Sequence, residues 1–345
     1  MNLNFPLQLT QSVLLDDDAV KAFTPEWDEL VDANPHATVF QSSSWYRAWI
    51  ESVAAAEGAK PIVLLISSSG RLRAAMALQL SRLDGIPTIR PLSCPWADYH
   101  EAVAFPDDSV AIKALSQLLN DLVCSYNCPL VLDDVVEGGI MEATLLNLST
   151  TRSPSSFVGA IDLTDTAHVE QVLSSKEHKR KWRQLQRLGK VYCQHHSQLD
   201  AVMTRLPTFI EMHRKQWIDR PDTVAPFDGG VVDNAFYAMV RYLTPHGFLL
   251  LTELLLDKQP IAICLGFLYR NCYSGYRMTF DQSYRRLSPG HLVLRKMMVD
   301  FSSSGIRQLD QMRGAYAYKR HYNNRMHNNI KFIFNGEKGL ESTHG

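Results

Sequence analysis

The chain has 345 residues, of which 46% are hydrophobic and 21% are charged. This length suits two domains, and the composition is that of a globular protein that needs neither disulfides nor metal to bury a core. The net charge of -1 excludes an overall attraction to polyanions, so any such contact requires a local basic segment. The sequence shows no secretion signal and no apolar run long enough to span a membrane. Together with six scattered cysteines, this predicts a cytoplasmic protein with reduced thiols and no membrane insertion.

The first half is predicted to run from helices into an antiparallel sheet. The first 60 residues indicate helices, the clearest being amphipathic. Two apolar strands around the turn Ser68-Ser69-Gly70 predict a hairpin. The predicted helices are 41–57 and 109–126, and the main strands are 61–67, 71–80 and 129–133. Residues 148–156 are polar and turn-rich, which places a domain boundary there.

The second half repeats this order of elements. Its predicted helices are 165–189, 198–219, 231–243 and 290–303, and its strands are 248–256, 260–269, 272–280, 307–310 and 329–334. The hairpin at 251–268 matches the one at 63–80 in length, turn position and apolar rhythm. We therefore predict an α+β fold with two tandem domains, 1–155 and 156–345, each with a mixed, mainly antiparallel sheet flanked by helices.

The segment between the strand ending at Phe280 and the next helix has the residue types of a phosphate-binding turn. Unpaired N–H groups and the positive end of the dipole at a helix start attract anions. Ser288 can cap the helix, and Gly290 lets a ligand approach the backbone closely. We place Arg285, Arg286 and His291 in the same donor-binding set, because cationic side chains add charge-assisted contacts. The alternative is an ordinary Ser-Pro-Gly turn that caps a helix.

The corresponding place in the first half carries Phe105-Pro106-Asp107-Asp108 before the helix at Ser109. Two carboxylates there would repel a pyrophosphate. A donor site, if either half has one, is therefore predicted in the second half.

The 281–295 segment resembles the donor-binding signature of GNAT acyltransferases, Arg/Gln-x-x-Gly-x-Gly/Ala between a strand and a helix. Arg285-Arg286-Leu287-Ser288-Pro289-Gly290 follows that pattern, with serine at the first glycine position. Other segments resemble, in the same order, motifs of the CelD-like branch, which is related to the FemAB peptidyltransferases. These segments are 35–49, 92–105, 174–191, 209–220 and 309–324.

The resemblance implies two GNAT-like domains with the active site in the cleft between them. It implies transfer of an acyl group from acyl-CoA, such as acetyl-CoA, to an amine of a small molecule, amino acid or amino sugar. The C-terminal domain would bind the donor, and the N-terminal domain would face the acceptor. CelD-like members are commonly linked to polysaccharide or cell-envelope biosynthesis. Two alternatives stay open: a FemAB-type transferase that uses aminoacyl-tRNA, and a non-catalytic binding protein with the same fold.

Acyl transfer to an amine needs a group that removes the amine proton, and a proton donor can assist the leaving thiolate. Asp310, at the end of a predicted strand, is the candidate base, and Tyr318 is the candidate proton donor. Lys319 and Arg313 are candidates for binding the acceptor. The alternative is a structural ion pair between Asp310 and Arg313, with the tyrosines at the edge of the core. No metal is expected, since neither HExxH nor another zinc-type spacing occurs.

Asp98 and Tyr99, in the first half, resemble the family's acceptor contacts; a surface turn is the alternative. The 174–191 segment predicts a helix with a basic side opposite Trp182 and Leu188. Its cations are Lys176, Lys179, Arg180, Arg183 and Arg187. This side could guide a polyanion such as tRNA, or it could be a solvated face. Because no aromatic residues alternate with the cations, nucleic-acid binding is expected only for the FemAB-type alternative. The oligomeric state stays open.

Overall fold

The structure is a computed structural model that describes residues 8–146, 148–218, 227, 229–314 and 319–336. Contacts between residues divide the chain into two units. The first unit contains the described residues up to Ser156 and those from Asn328 onward, and the second contains residues 157–327.

In the described part of the chain, the helices are α1 Pro25–Ala33, α2 Ser43–Trp49, α3 Ser109–Tyr126, α4 Ile140–Leu145, α5 Thr166–Leu173, α6 Lys176–Gln186, α7 Leu199–Trp217, α8 Val231–Leu243 and α9 Pro289–Ser303. The strands are β1 Leu9–Leu15, β2 Lys60–Ser68, β3 Arg71–Leu83, β4 Ile86–Pro91, β5 Val103–Ala104, β6 Leu130–Val135, β7 Thr151–Asp162, β8 Val191–His196, β9 Leu249–Leu256, β10 Gln259–Tyr269, β11 Cys272–Phe280, β12 Gln308–Arg313 and β13 Arg325–Phe334. None of these helices combines the length and hydropathy needed to cross a membrane.

The first unit has a mixed sheet in the order β1-β2-β3-β4-β6-β13. The β4–β6 pair is parallel, and the other neighbours in this order are antiparallel. The predicted hairpin is the β2–β3 pair, with Lys60 opposite Leu80. α3 packs its apolar side, including Leu115 and Leu119, into the same core as the strands. Hydrophobic burial of this helix face stabilises the unit.

The second unit has strands in the order β7-β12-β11-β10-β9-β8. The β11–β12 pair is parallel, and the other pairs are antiparallel. Parallel neighbours need a crossover, and α9 supplies it between β11 and β12. The apolar stripe predicted on α9 is buried against the sheet at Val293, Leu294, Met297, Met298 and Phe301. The predicted α+β fold, with mixed and mainly antiparallel sheets flanked by helices, is therefore confirmed.

Several elements differ from the sequence prediction. Leu9–Leu15, predicted to be helical, forms β1 along β2. Residues 151–156, predicted as a polar linker, begin β7, and Val191–His196 forms β8, which was not predicted. β1 and β8 lie at the ends of their strand orders, and most of their side chains are not buried. Such strands lack the apolar alternation on which sequence prediction depends.

The C-terminal boundary also differs from the predicted domain 156–345. β13 pairs antiparallel with β6, with Ile330 opposite Val135 and Phe334 opposite Leu130. This pairing places the described residues from Asn328 in the first unit. The assignment of donor and acceptor sides to the two domains stays a prediction.

Candidate functional site

The predicted donor turn joins β11 to α9 through a 3-10 turn at Gln282–Leu287. Ser288 follows with φ 53° and ψ 56°, in the left-handed region. Its N–H group donates to the carbonyl of Arg285 at 3.0 Å. The N–H groups of His291 and Leu292 both donate to the Ser288 carbonyl, at 3.0 and 3.2 Å. Pro289 has no N–H group to offer. Most of the main-chain donors assigned to a phosphate are therefore already used within the protein.

Protein atoms also fill the space beside Gly290, which is buried. A Cβ atom at this position would stand 3.3 Å from Cε and 3.4 Å from Sδ of Met278, and 3.7 Å from Phe280. The glycine thus faces β11 and does not open the backbone to a ligand on this side. The open amide cradle predicted from the sequence is not what the structure shows, because the left-handed Ser288 tightens the turn onto itself.

Cationic side chains supply positive charge at this helix start. Lys181 of α6 donates from Nζ to Ser288 Oγ at 2.8 Å and pairs with Glu177 at 2.7 Å. Arg285 and Arg286 are exposed on the turn itself. An anion here would meet side chains that form charge-assisted hydrogen bonds, which are stronger than neutral ones.

Arg295 lies one turn further along α9 and makes structural contacts to the end of α5. Its buried guanidinium donates to the carbonyls of Val172 and Leu173 at the C-terminal end of α5. Cations at a helix C-terminus satisfy the last carbonyls and complement the dipole. Arg295 therefore ties α5 to α9 and adds its charge beneath the site.

A cluster of aromatic polar side chains lies beside the same helix start. His291 Nδ1 lies 2.7 Å from the hydroxyl of Tyr322, which is buried. His178 of α6 lies with its ring 5.5 Å from that of His291 and 6.5 Å from that of Tyr322. His178 Nδ1 contacts Ser175 Oγ at 3.0 Å, and His168 Nε2 contacts the Tyr322 carbonyl at 2.7 Å. Three elements that are distant in sequence thus hold two imidazoles and a phenol together.

Both imidazoles are shifted toward their neutral forms. Burial lowers the pKa of His178 from 6.5 to about 4, and the charges of Arg295 and His291 act in the same direction. Burial also lowers the pKa of His291, followed by the influence of Lys181 and His321. Neutral imidazoles can accept protons at neutral pH.

The polar side chains predicted at the end of β12 lie close together in the structure. Asp310 and Lys319 form hydrogen bonds to backbone atoms. Asp310 is 5% exposed, and its Oδ1 accepts the N–H of Met312 at 2.7 Å. Met312 has φ 62°, in a register shift between Asp310 and Arg313. Lys319 is 4% exposed and donates from Nζ to the carbonyls of Met312 and Arg313, at 3.2 and 2.9 Å. Asp310 as base, and Arg313 and Lys319 as acceptor contacts, stay predictions. Tyr318 lies outside the described residues.

Asp98 and Tyr99 belong to the first unit, and both are buried. The Asp98 carbonyl accepts a hydrogen bond from Asn329 Nδ2 at 3.1 Å, and the Tyr99 carbonyl accepts one from Gln41 Nε2 at 2.9 Å. The alternative of an exposed surface turn is therefore wrong. Their predicted role as acceptor contacts stays a prediction.

Carboxyl groups occupy two helix starts of the first unit. Asp108 Oδ1 accepts the Ala111 N–H at the start of α3 at 3.1 Å, and Oδ2 lies 2.5 Å from Arg73. Glu101 accepts hydrogen bonds from the N–H group of the adjacent Ala102 and from that of Met141, which lies at the start of α4. Burial raises the pKa of Glu101 from 4.5 to about 8. These helix starts already hold an acidic side chain.

The basic side of α6 is confirmed in the structure. All five predicted cations, Lys176, Lys179, Arg180, Arg183 and Arg187, are exposed. Leu185 is buried and Trp182 packs against the core of the second unit. Leu188, which was expected on the apolar side, is 58% exposed. The helix therefore buries a narrower face than predicted and presents its cations to solvent.

Sequence reasoning did not single out His178 or Tyr322. Both residues lie in segments that resemble family motifs, 174–191 and 309–324, but nothing in those motifs marks them, and each reaches His291 only through packing of separate elements. His291 itself was assigned to donor binding, whereas its ring nitrogen contacts Tyr322. The only local sign of His178 in the sequence is its place within the basic segment, and a single histidine there does not indicate a site.

The family model described as an acetyltransferase (GNAT) domain matches residues 174–320. The matched span contains α6, the start of α9 and the polar group after β12. No curated protein sequence matches the chain.

Solved structures match over most of the chain. The FemX crystal structure has a TM-score of 0.64 and 12% identity, covering 90% of this chain and 95% of that one. L-PGS from Bacillus licheniformis has a TM-score of 0.53 and 9% identity, covering 76% of this chain and 82% of that one. A tandem GNAT protein from the clavulanic acid biosynthesis pathway has a TM-score of 0.50 and 12% identity, covering 96% of this chain and 100% of that one. At these identities the likeness concerns the fold. Residues 174–320 thus match the model of a GNAT acetyltransferase domain, and the chain shares its fold with FemX and with a tandem GNAT protein.

Proposed function

We propose that this chain transfers an acyl group from an acyl-CoA thioester to an amine of a small molecule, amino acid or amino sugar. The observation that carries the proposal is the cationic start of α9, within the residues that match the GNAT domain. Lys181 reaches Ser288 there, and Arg285 and Arg286 are exposed on the preceding turn. The diphosphate of coenzyme A is an anion that such side chains bind.

The proposed donor site differs in kind from a main-chain phosphate cradle. Because the Ser288 and His291 N–H groups are already bonded, recognition depends on side-chain charge. A hydrogen bond to a charged group contributes about 1.5–3 kcal/mol, so each cation matters. The positive end of the α9 dipole adds a smaller term of about 0.3–1 kcal/mol at an exposed site.

Calorimetry with coenzyme A tests the donor directly. Wild type should bind it, and Lys181→Ala should weaken the affinity by about 10- to 100-fold, because one charge-assisted contact is lost. Lys190→Ala is the matched control, since Lys190 is an exposed lysine beyond α6. Absence of binding heat with wild type would refute the acyl-CoA donor. Equal affinity of wild type and Lys181→Ala would refute the side-chain site.

A second candidate is transfer from aminoacyl-tRNA, the FemAB-type alternative. The specific observation in its favour is that the five cations of the basic side, four on α6 and Arg187 directly after it, are exposed to solvent. Exposed Lys and Arg residues bind a phosphate backbone, and such binding weakens steeply as salt rises. The fold likeness to FemX is consistent with this candidate.

Filter retention of charged tRNA at increasing salt distinguishes the two donors. For the second candidate, Arg183→Glu with Arg187→Glu should lower the salt slope by about one to two, since each phosphate contact contributes roughly 0.7–0.9. Retention of charged tRNA and transfer of its aminoacyl group, without binding of coenzyme A, would replace our proposal with this candidate. A protein that binds coenzyme A but releases no thiol with any amine would be a binding module instead.

A further inference from the structure

The exposed cations on the basic side of α6 are not neutralised by the protein around them. This set contains Lys176, Lys179, Arg180, Arg183 and Arg187. None of the five side chains makes a hydrogen bond or an ion pair with the residues that the structure describes. The only acidic residue of α6, Glu177, pairs with Lys181. Exposed cations elsewhere commonly have a carboxylate partner, as Lys215 has in Glu211 at 2.6 Å. Unpaired positive charge is therefore concentrated on this helix.

The five cations lie along one line of the helix surface. They occupy positions i, i+3, i+4, i+7 and i+11, which face the same direction in a helix of 3.6 residues per turn. At 1.5 Å per residue, this line is roughly 16 Å long. Lys181 lies on the other side of α6, where it reaches Ser288. The basic side thus faces away from the proposed donor site and is not used by it.

An exposed apolar side chain adjoins the basic side. Leu188 is 58% exposed and stands between Arg187 and Lys190, which are also exposed. Moving such a side chain from water into an apolar phase is favourable. A phosphate backbone offers no apolar phase. Proteins that bind single-stranded nucleic acid without reading its sequence also stack bases on aromatic rings, whereas Trp182 packs against the core. The combination of cations and an exposed leucine favours a lipid surface over a nucleic acid.

We propose that the basic side of α6 docks on an anionic phospholipid surface, with Leu188 entering the boundary between head groups and acyl chains. Such a surface offers negative head groups to the cations and an apolar layer directly beneath them to the leucine. The contact is peripheral, because none of the described helices can cross a membrane. This docking requires neither an acyl donor nor an acceptor, so it can be measured without turnover.

The expected strength is that of reversible docking. Each Lys or Arg close to an anionic leaflet raises the affinity about fivefold. Five such cations together raise it by roughly 10³- to 10⁴-fold over that for a neutral surface. The attraction is screened over about 10 Å at 0.1 M salt, so docking should weaken as the salt concentration rises.

Sedimentation with lipid vesicles tests the charged contact. Wild type should bind vesicles of phosphatidylglycerol and phosphatidylcholine in equal parts, and it should not bind phosphatidylcholine alone. Arg183→Gln with Arg187→Gln should bind the mixed vesicles about 20- to 30-fold more weakly, because two cations are lost. Lys60→Gln with Lys113→Gln is the matched control, since it removes two exposed lysines of the first unit and should bind as wild type does.

Three outcomes of this experiment would overturn the proposal. Wild type that binds neither kind of vesicle has no such docking surface. Equal binding of wild type and the arginine variant would place any lipid contact elsewhere. A control variant that loses as much affinity as the arginine variant would show that only the total charge of the protein matters. Far-UV circular dichroism checks that all these variants are folded.

Leu188→Ser separates a lipid surface from a nucleic acid. It should weaken vesicle binding by about three- to tenfold, because the apolar contact is lost. Retention of tRNA on a filter should be the same for Leu188→Ser and wild type. Vesicle binding that equals that of wild type would overturn the entry of Leu188 into the lipid. Retention of tRNA without any binding to vesicles would overturn the proposal and favour the aminoacyl-tRNA candidate. Coenzyme A is absent from these measurements, so they can fail without affecting the proposed function.

Discussion

The helix α3 of the first unit begins at the carboxylate of Asp108, whereas the helix α9 of the second unit begins among cations. Asp108 caps its helix by accepting the Ala111 N–H group. Ser288 makes no such bond to its own helix, and its hydroxyl accepts from Lys181 instead. Both helices have the same dipole direction at their starts. Side-chain charge therefore decides which helix start can receive an anion.

The same contrast extends to the titratable groups around these helix starts. In the first unit, burial favours the neutral form of the Glu101 carboxyl, which accepts the Met141 N–H group at the start of α4. In the second unit, neutral imidazoles are favoured at His178 and His291. Burial acts on both sets, but it shifts acids and bases in opposite directions. The contribution of Glu101 to stability should therefore respond to pH in the opposite direction from those of the two histidines.

The largest expected effect comes from Glu101. Its pKa is about 8 in the folded protein and 4.5 ordinarily, so it contributes stability below pH 4.5 that is lost as the pH rises to about 8. At about 1.4 kcal/mol per pKa unit, the loss amounts to roughly 5 kcal/mol. Glu101→Gln cannot ionise, and its free energy of unfolding should rise relative to wild type over this range. Urea unfolding of both proteins at several pH values measures this; a constant difference would contradict it.

Removing the carboxylate at the start of α3 should have a smaller effect. Asp108→Ala loses both the cap to Ala111 and the ion pair with Arg73, so the free energy of unfolding should fall by about 1–2 kcal/mol. Asp107→Ala is the matched control, because Asp107 is exposed beside it. Coenzyme A affinity should be the same in both variants. A donor affinity that changes with Asp108 would break the assignment of the donor to the second unit.

His178 should show the opposite pH response from Glu101. Its pKa is about 4 in the folded protein against 6.5 ordinarily, so its contribution is present above pH 6.5 and is lost as the pH falls to about 4. Because the ring is partly exposed, we expect only about 1 kcal/mol, or roughly 2–4 °C in Tm. Thermal unfolding of His178→Gln should show a weaker acid dependence than wild type. If the acid dependence of His178→Gln equals that of wild type, His178 does not contribute to the pH dependence of stability.

Gly290→Ala should have the smallest effect. The added Cβ meets the flexible end of Met278 at 3.3 Å, which can shift to relieve the contact. Stability should change by less than about 1 kcal/mol, and coenzyme A affinity should be retained. Circular dichroism and calorimetry measure the two quantities. If a folded Gly290→Ala protein no longer bound coenzyme A, the donor would bind to main-chain N–H groups and not to the cationic side chains.

The elements that sequence predicted well carry a strong local period. In the hairpins β2–β3 and β9–β10, apolar residues alternate with polar ones or form continuous runs on both sides of a short turn. In α9, the apolar residues recur at helical spacing. Strands β1 and β8 have partly exposed side chains and gain their structure from a neighbouring strand. The partner of β13 lies far away along the chain, so no local pattern identifies it.

The candidate site divides in the same way. The charged residues in the sequence were enough to predict the exposed basic side of α6 and the exposed Arg285 and Arg286 on the turn before α9. The sequence did not predict that the Ser288 and His291 N–H groups would be used locally, because this follows from the left-handed conformation of Ser288. Nor did it predict the meeting of His178 and Tyr322 at His291, which depends on the packing of three separate elements.

Incubation of the purified protein with acetyl-CoA and a panel of amines tests the central claim most directly. The account predicts amine-dependent release of free thiol, matched in amount by N-acetylated product, and weakened by Lys181→Ala. Thiol release at the background rate with every amine, alongside transfer from charged tRNA, would contradict it.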